Sequence, residues 1–113
     1  MIKSGDTFHI RRLDGLDPMI GWAMGAETGI FSNSGHMTIA VERNGIMHVC
    51  ESNAKGQYWP INGIQCSPYD DWIEMANTAS HHYVWAPIDP EITFDVEKAN
   101  QYIDKILGVD YGY

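Results

Sequence analysis

Apolar and polar residues alternate most regularly in the middle of the chain. His36-Met37-Thr38-Ile39-Ala40-Val41-Glu42-Arg43 is followed by Asn44-Gly45 and then by Ile46-Met47-His48-Val49-Cys50-Glu51. Alternation predicts two strands. The Asn-Gly between them predicts a hairpin, because a type I′ turn needs positive φ at both central residues. Such a turn pairs Arg43 with Ile46, Val41 with His48, Ile39 with Cys50 and Thr38 with Glu51. Side chains change face at every residue. His36, Thr38 and Glu51 are therefore expected on one face, and Ile39, Val41, His48 and Cys50 on the other.

The rest of the pattern is less regular. Thr7-Phe8-His9-Ile10-Arg11 predicts a short strand after a Gly5-Asp6 turn. Asp17-Pro18 opens a helix with Met19, Ile20, Trp22 and Ala23 as its apolar side. Residues 26–35 read as a loop rich in Gly, Ser and Asn, and residues 53–56 as a second loop. Tyr58-Trp59-Pro60 and Gly63-Ile64-Gln65-Cys66 predict short extended pieces. Ser67-Pro68 predicts a helix start with Ser67 as cap, and Trp72, Ile73, Met75 and Ala76 as apolar positions. His81-His82 reads as a solvated loop, and Tyr83-Val84-Trp85-Ala86 as a buried strand ended by Pro87. After Phe94-Asp95, the stripe Val96, Ala99, Ile103, Ile106 and Leu107 predicts the clearest helix, stopped by Gly108. This order predicts an α+β domain: a small, mainly antiparallel sheet with flanking helices.

The chain of 113 residues allows one domain with a modest core. Its composition is globular, with 44% hydrophobic and 19% charged residues. A net charge of −8 and the lack of any basic stretch argue against nucleic acid and anionic membrane surfaces as partners. No apolar run approaches the roughly 20 residues of a membrane span, and Met1-Ile2-Lys3-Ser4-Gly5-Asp6 lacks the apolar centre of a signal peptide. The compartment stays open. No spacing suits a metal, and no cofactor is implied. Cys50 and Cys66 could pair in an oxidising compartment, but a strand Cys and a loop Cys are more often free.

His36 and Glu51 carry the candidate chemistry. As diagonal neighbours across the hairpin, their Cβ atoms fall roughly 7 Å apart or less. A carboxylate there can hydrogen-bond the imidazole and fix its tautomer, as in a nucleophilic triad. A plain role for His36 as a polar strand-edge residue stands beside this reading. The register turns Cys50 away from His36, and nothing places Cys66 near it. No residue of the chain is therefore assigned as nucleophile. Trp22, Ser34, Thr38 and Trp59 are candidate cleft residues. The four Trp and six Tyr suit a cleft for a partly apolar ligand.

The chain resembles the circularly permuted papain-like proteins of the NlpC type, often called YiiX-like, relatives of bacterial cell-wall amidases and of lecithin-retinol acyltransferase. Ser4-Gly5-Asp6-Thr7-Phe8 resembles their opening, and Ser34-Gly35-His36-Met37-Thr38-Ile39-Ala40-Val41 their catalytic His strand, with Gly where Ser usually precedes the His. Val49-Cys50-Glu51-Ser52 resembles the segment of the acidic or polar triad member. Ser67-Pro68-Tyr69-Asp70-Asp71-Trp72-Ile73 resembles the region before a helix that often ends in Trp-Ile, and Leu107-Gly108-Val109-Asp110-Tyr111 the Leu-Gly-x-x-Tyr after the long helix. The resemblance implies a cysteine hydrolase or acyltransferase acting on amide or ester bonds, with His36 as base and Glu51 as its orienter. It places the nucleophilic Cys beyond Tyr113, so that the 113 residues are an incomplete domain, inactive alone. The alternative is an inactive relative binding a peptide, amino acid or lipid in the same cleft. Self-association through the C-terminal helix is a further expectation, because the apolar stripe needs a partner.

Overall fold

The computed structural model describes residues 1–11, 36–53, 63–79 and 81–110, and in them the chain is a small α+β fold. Strands β1 (Thr7–Arg11), β2 (His36–Arg43), β3 (Ile46–Asn53), β4 (Gly63–Pro68) and β5 (His82–Ala86) form one antiparallel sheet in the order β4-β3-β2-β1-β5. Helices α1 (Tyr69–Thr78) and α2 (Val96–Ile106) pack on its opposite faces. The segment 17–25, expected as a helix, and the loop 26–35 lie outside the described residues.

The β2–β3 hairpin has the register that its sequence predicts. Asn44 (φ 53°) and Gly45 (φ 78°) both hold left-handed backbone, as a type I′ turn demands. The ladder runs from Arg43–Ile46 through Val41–His48 to Ile39–Cys50. Alternation then splits the core. Ala40 and Val49 join Phe8, Ile10 and Trp72 beneath α1. Val41 and Cys50 join Ile103 beneath α2. The Phe8 and Trp72 rings, 5.0 Å apart between centroids, anchor the first layer.

The opening Ser4-Gly5-Asp6 is a clasp for the sheet. Ser4 Oγ accepts from Glu42 N at 2.8 Å, and Gly5 N donates to Ala40 O at 2.8 Å. Gly5 has φ 95°, and a Cβ there would lie 2.6 Å from Ile88 Cδ1, so only glycine fits. Fully buried Asp6 accepts from Lys3 N (2.9 Å), Trp85 Nε1 (2.9 Å) and Ile88 N (2.8 Å). One carboxylate thus ties the N-terminal turn to the end of β5 and to the segment that follows it.

Five expectations are corrected. Ser67 does not cap α1: it lies buried in β4, opposite Val49, and Pro68 holds the N-cap position without a side-chain bond. Strand pairing continues to Pro68 and claims the residue that the motif assigns to the helix. Asn53 ends β3 rather than opening a loop, because β4 pairs with it through Gly63. His82 belongs to β5 instead of a loop, and β5 is not a buried strand. It is an edge strand with Val84 67% exposed, since helix packing covers only one face. Cys50 and Cys66 are bonded as a disulfide, because β4 places them directly opposite each other.

Asp95 caps α2 by accepting from Lys98 N at 3.0 Å, and Gly108, at φ 84°, ends it as expected. Leu107 falls at the C-cap and is exposed. The stripe of Val96, Ala99 and Ile103 has a partner within the chain, the β2–β3 face. No described helix is long and apolar enough to cross a membrane.

Burial pushes the Asp6 carboxyl up, but the Ile88 and Lys3 backbone N–H groups, the Trp85 indole and the Lys3 charge outweigh it and leave its pKa below the usual aspartate value. A folded value below the unfolded one stabilises the fold fully above the unfolded pKa, and the contribution is lost as pH falls through the folded value. Asp6→Ala should cost about 2–3 kcal/mol in urea unfolding near neutral pH. In acid titration below the usual aspartate range, the gap between wild type and variant should narrow. A gap that is constant or widens there would contradict this role.

Candidate functional site

His36 is the first residue of β2 and pairs with Ile10 of β1. Its Nε2 lies 2.8 Å from Glu51 Oε1 on β3. The residues share the α1 face, because His36 is in phase with Ala40 and Glu51 with Val49. Both are largely withdrawn from solvent: the His36 side chain is 10% exposed and that of Glu51 0%. The pair expected from the register is thus formed, and as a direct hydrogen bond.

The bond defines what the imidazole can do. A carboxylate in its ionised form only accepts, so with Glu51 ionised the hydrogen of this bond belongs to Nε2. The second ring nitrogen, Nδ1, then has the lone pair and is the basic atom. A buried carboxylate on Nε2 also stabilises the imidazolium that proton uptake creates. This is the arrangement of a general base held by an orienter.

Around the pair lies a row of polar residues, two of which, Asn53 and Gln65, carry no sequence motif of a site. Gln65 on β4 pairs directly with Glu51, and Asn53 follows two residues along β3. Thr38, Glu51, Asn53, Gln65 and Ser67 are all buried. Thr38, a candidate cleft residue from the sequence, shares the His36 face, and its Oγ1 finds no hydrogen-bond partner among the described residues. The buried indole Nε1 of Trp72 is in the same condition. Inward polar side chains cost free energy unless satisfied, so a cluster of them on a core face is a candidate for function beside its structural role. A signal was present in the Gly-Ile-Gln-Cys-Ser-Pro alternation of β4, but alternation alone does not say which phase points inward. Tyr69, which lies 6.0 Å from the Phe8 ring, has its phenol pKa raised by burial and then by neighbouring Tyr83 and Asp70.

The site has no thiol from the described strands. Cys50 is in phase with Val41 on the opposite face, and it is bonded to Cys66. Trp22, Ser34 and Trp59 lie outside the described residues. Among the described residues, no group of His, Cys, Asp and Glu side chains is placed to hold a metal ion. Comparison with protein-family models, with curated proteins and with solved structures finds no match.

Glu51→Ala removes the acceptor from a largely buried imidazole and should destabilise the fold by about 1–3 kcal/mol. Glu51→Gln, whose amide oxygen can still accept from Nε2, should lose less than half as much. Urea denaturation of the three proteins checks both. Equal losses would mean that the carboxylate acts through packing and not through the hydrogen bond.

Proposed function

We propose that this chain carries the base and orienter of a cysteine hydrolase or acyltransferase acting on amide or ester bonds, of the permuted papain-like type its motifs resemble. The observation that carries the reading is the buried 2.8 Å contact between His36 Nε2 and Glu51 Oε1. In this reading Nδ1 of His36 takes the proton of a thiol, the thiolate attacks the carbonyl carbon, and the imidazolium returns the proton to the leaving amine or alcohol. Glu51 holds the ring and balances its charge during that cycle. The buried Thr38, Asn53 and Gln65 share the face of the pair.

Cys50 and Cys66 are excluded as nucleophiles by their bond to each other and by the phase of Cys50. In this reading the nucleophile is a cysteine outside these 113 residues, as the resemblance implies. The disulfide suits an oxidising compartment.

A second reading is favoured by that same observation. With both of its thiols tied together, the chain could use the His36 cleft to bind a peptide, an amino acid or a lipid without turnover.

Alkylation of the native protein from its source with iodoacetamide, followed by peptide mass spectrometry, separates the two. The hydrolase reading predicts rapid alkylation of a cysteine other than Cys50 and Cys66, slowed about 100-fold by His36→Ala. No such cysteine, or the same rate in the variant, would overturn it and leave the binding role.

A further inference from the structure

An open cavity of about 340 Å³ lies between α2 and the sheet, on the face opposite the His36 and Glu51 side chains, with Glu51 among the residues that line it. Val41, Cys50 and Ile64 form its floor and Phe94, Ile103 and Ile106 its roof. Hardly any polar surface faces its interior. We infer that it is a binding site for the alkyl chain of a small uncharged amphiphile.

Ile103 of α2 packs against Val41 and Cys50 of the sheet. Protein interiors close to crystal-like density, and an apolar helix stripe over an apolar sheet gains by settling onto it. Here α2 is braced at two places. At one, Arg43 donates to Asn100 Oδ1 (2.8 Å) and Asp104 Oδ1 (2.7 Å), while Asn100 Nδ2 donates to Glu42 O (2.9 Å). At the other, Gly108 N donates to Ile64 O (2.9 Å) and Ile64 N to Val109 O (2.9 Å). Gly63, at φ 97°, allows that second brace, since a Cβ there would strike the Val109 carbonyl. The two braces tie the helix and the residues after it to β2 and β4.

The lining decides the occupant. A buried water needs two to four polar partners, and the interior offers almost none. A hydrocarbon meets dispersion contacts on both sides. An apolar cavity of about 150 Å³ accepts benzene, so one of 340 Å³ has room for a medium-length alkyl chain. Tyr102 lines the cavity yet is 64% exposed, which puts an amphipathic ring at the mouth, where a chain meets its polar head. The net charge of −8 disfavours an anionic head. This site does not depend on the hydrolytic reading, and its test leaves that reading untouched.

The experiment is a titration of the full chain with the neutral fluorophore N-phenyl-1-naphthylamine, followed by displacement with 1-decanol. The expected result is saturable fluorescence, displaced by decanol and more weakly by decanoate. Ala99→Trp, which fills the cavity from α2, should weaken binding about tenfold or more. Circular dichroism checks that this variant folds. A second measurement needs no variant. Decanol should shift the methyl NMR signals of Ile39, Ile64, Ile103 and Ile106 and leave those of Ile10 and Ile73 on the α1 face in place. No saturable binding, unchanged affinity in a folded Ala99→Trp protein, or shifts at Ile10 and Ile73 instead would overturn the proposal.

Discussion

Asn44 and Gly45 close the β2–β3 hairpin with left-handed backbone at both positions, and the register they set is the constraint on which the other features rest. A slip of one residue would turn every side chain of one strand to the other face. Glu51 would leave His36, Cys50 would leave Cys66, and the two half-cores would exchange apolar for polar positions. Both faces are covered, one by α1 and the other by α2, so a slip would be opposed twice. The His36–Glu51 bond and the Cys50–Cys66 bond are neighbours along β3 that point in opposite directions. One strand thus serves the candidate site on one side and a structural cross-link on the other.

The hairpin, β1 and α2 were legible because each carries a local signal: an obligate turn pair, a short alternation, and a stripe with a cap and a glycine stop. The His36–Glu51 pair was legible for the same reason, since a two-residue turn converts sequence distance into spatial distance. What was not legible depends on longer-range pairing. Nothing local says that residues 63–68 lie beside β3, so the Cys66 partner and the strand role of Ser67 were hidden. Tyr83-Val84-Trp85-Ala86 reads as buried from its apolar run, and only its place at the sheet edge exposes Val84. The inward phase of Gln65 and Asn53 follows from their strand partners, not from their own residue types.

The two faces of the sheet have different chemistry. The α1 face combines an aromatic layer around Trp72 with a buried row of polar side chains that ends at His36. The α2 face is apolar, and its helix is tied to the sheet by polar bonds at Arg43 and Ile64. Satisfying a polar row inside a domain costs more design than filling it with Leu or Val. In the proposed reading, its position beside a carboxylate-bound imidazole connects the architecture to acid–base chemistry, and the motif order supplies the reaction class. Asp6 contributes at a distance, by fixing the strand β1 against which His36 pairs.

The most direct test is a long-range ¹H–¹⁵N correlation spectrum of the His36 ring at a pH where the imidazole is neutral. The account predicts one tautomer, with the hydrogen on Nε2 and the lone pair on Nδ1, and predicts that Glu51→Ala releases the ring into a mixture of both forms. A hydrogen held on Nδ1, or a tautomer that Glu51→Ala leaves unchanged, would mean that Glu51 does not orient His36, and the base-and-orienter account would fall.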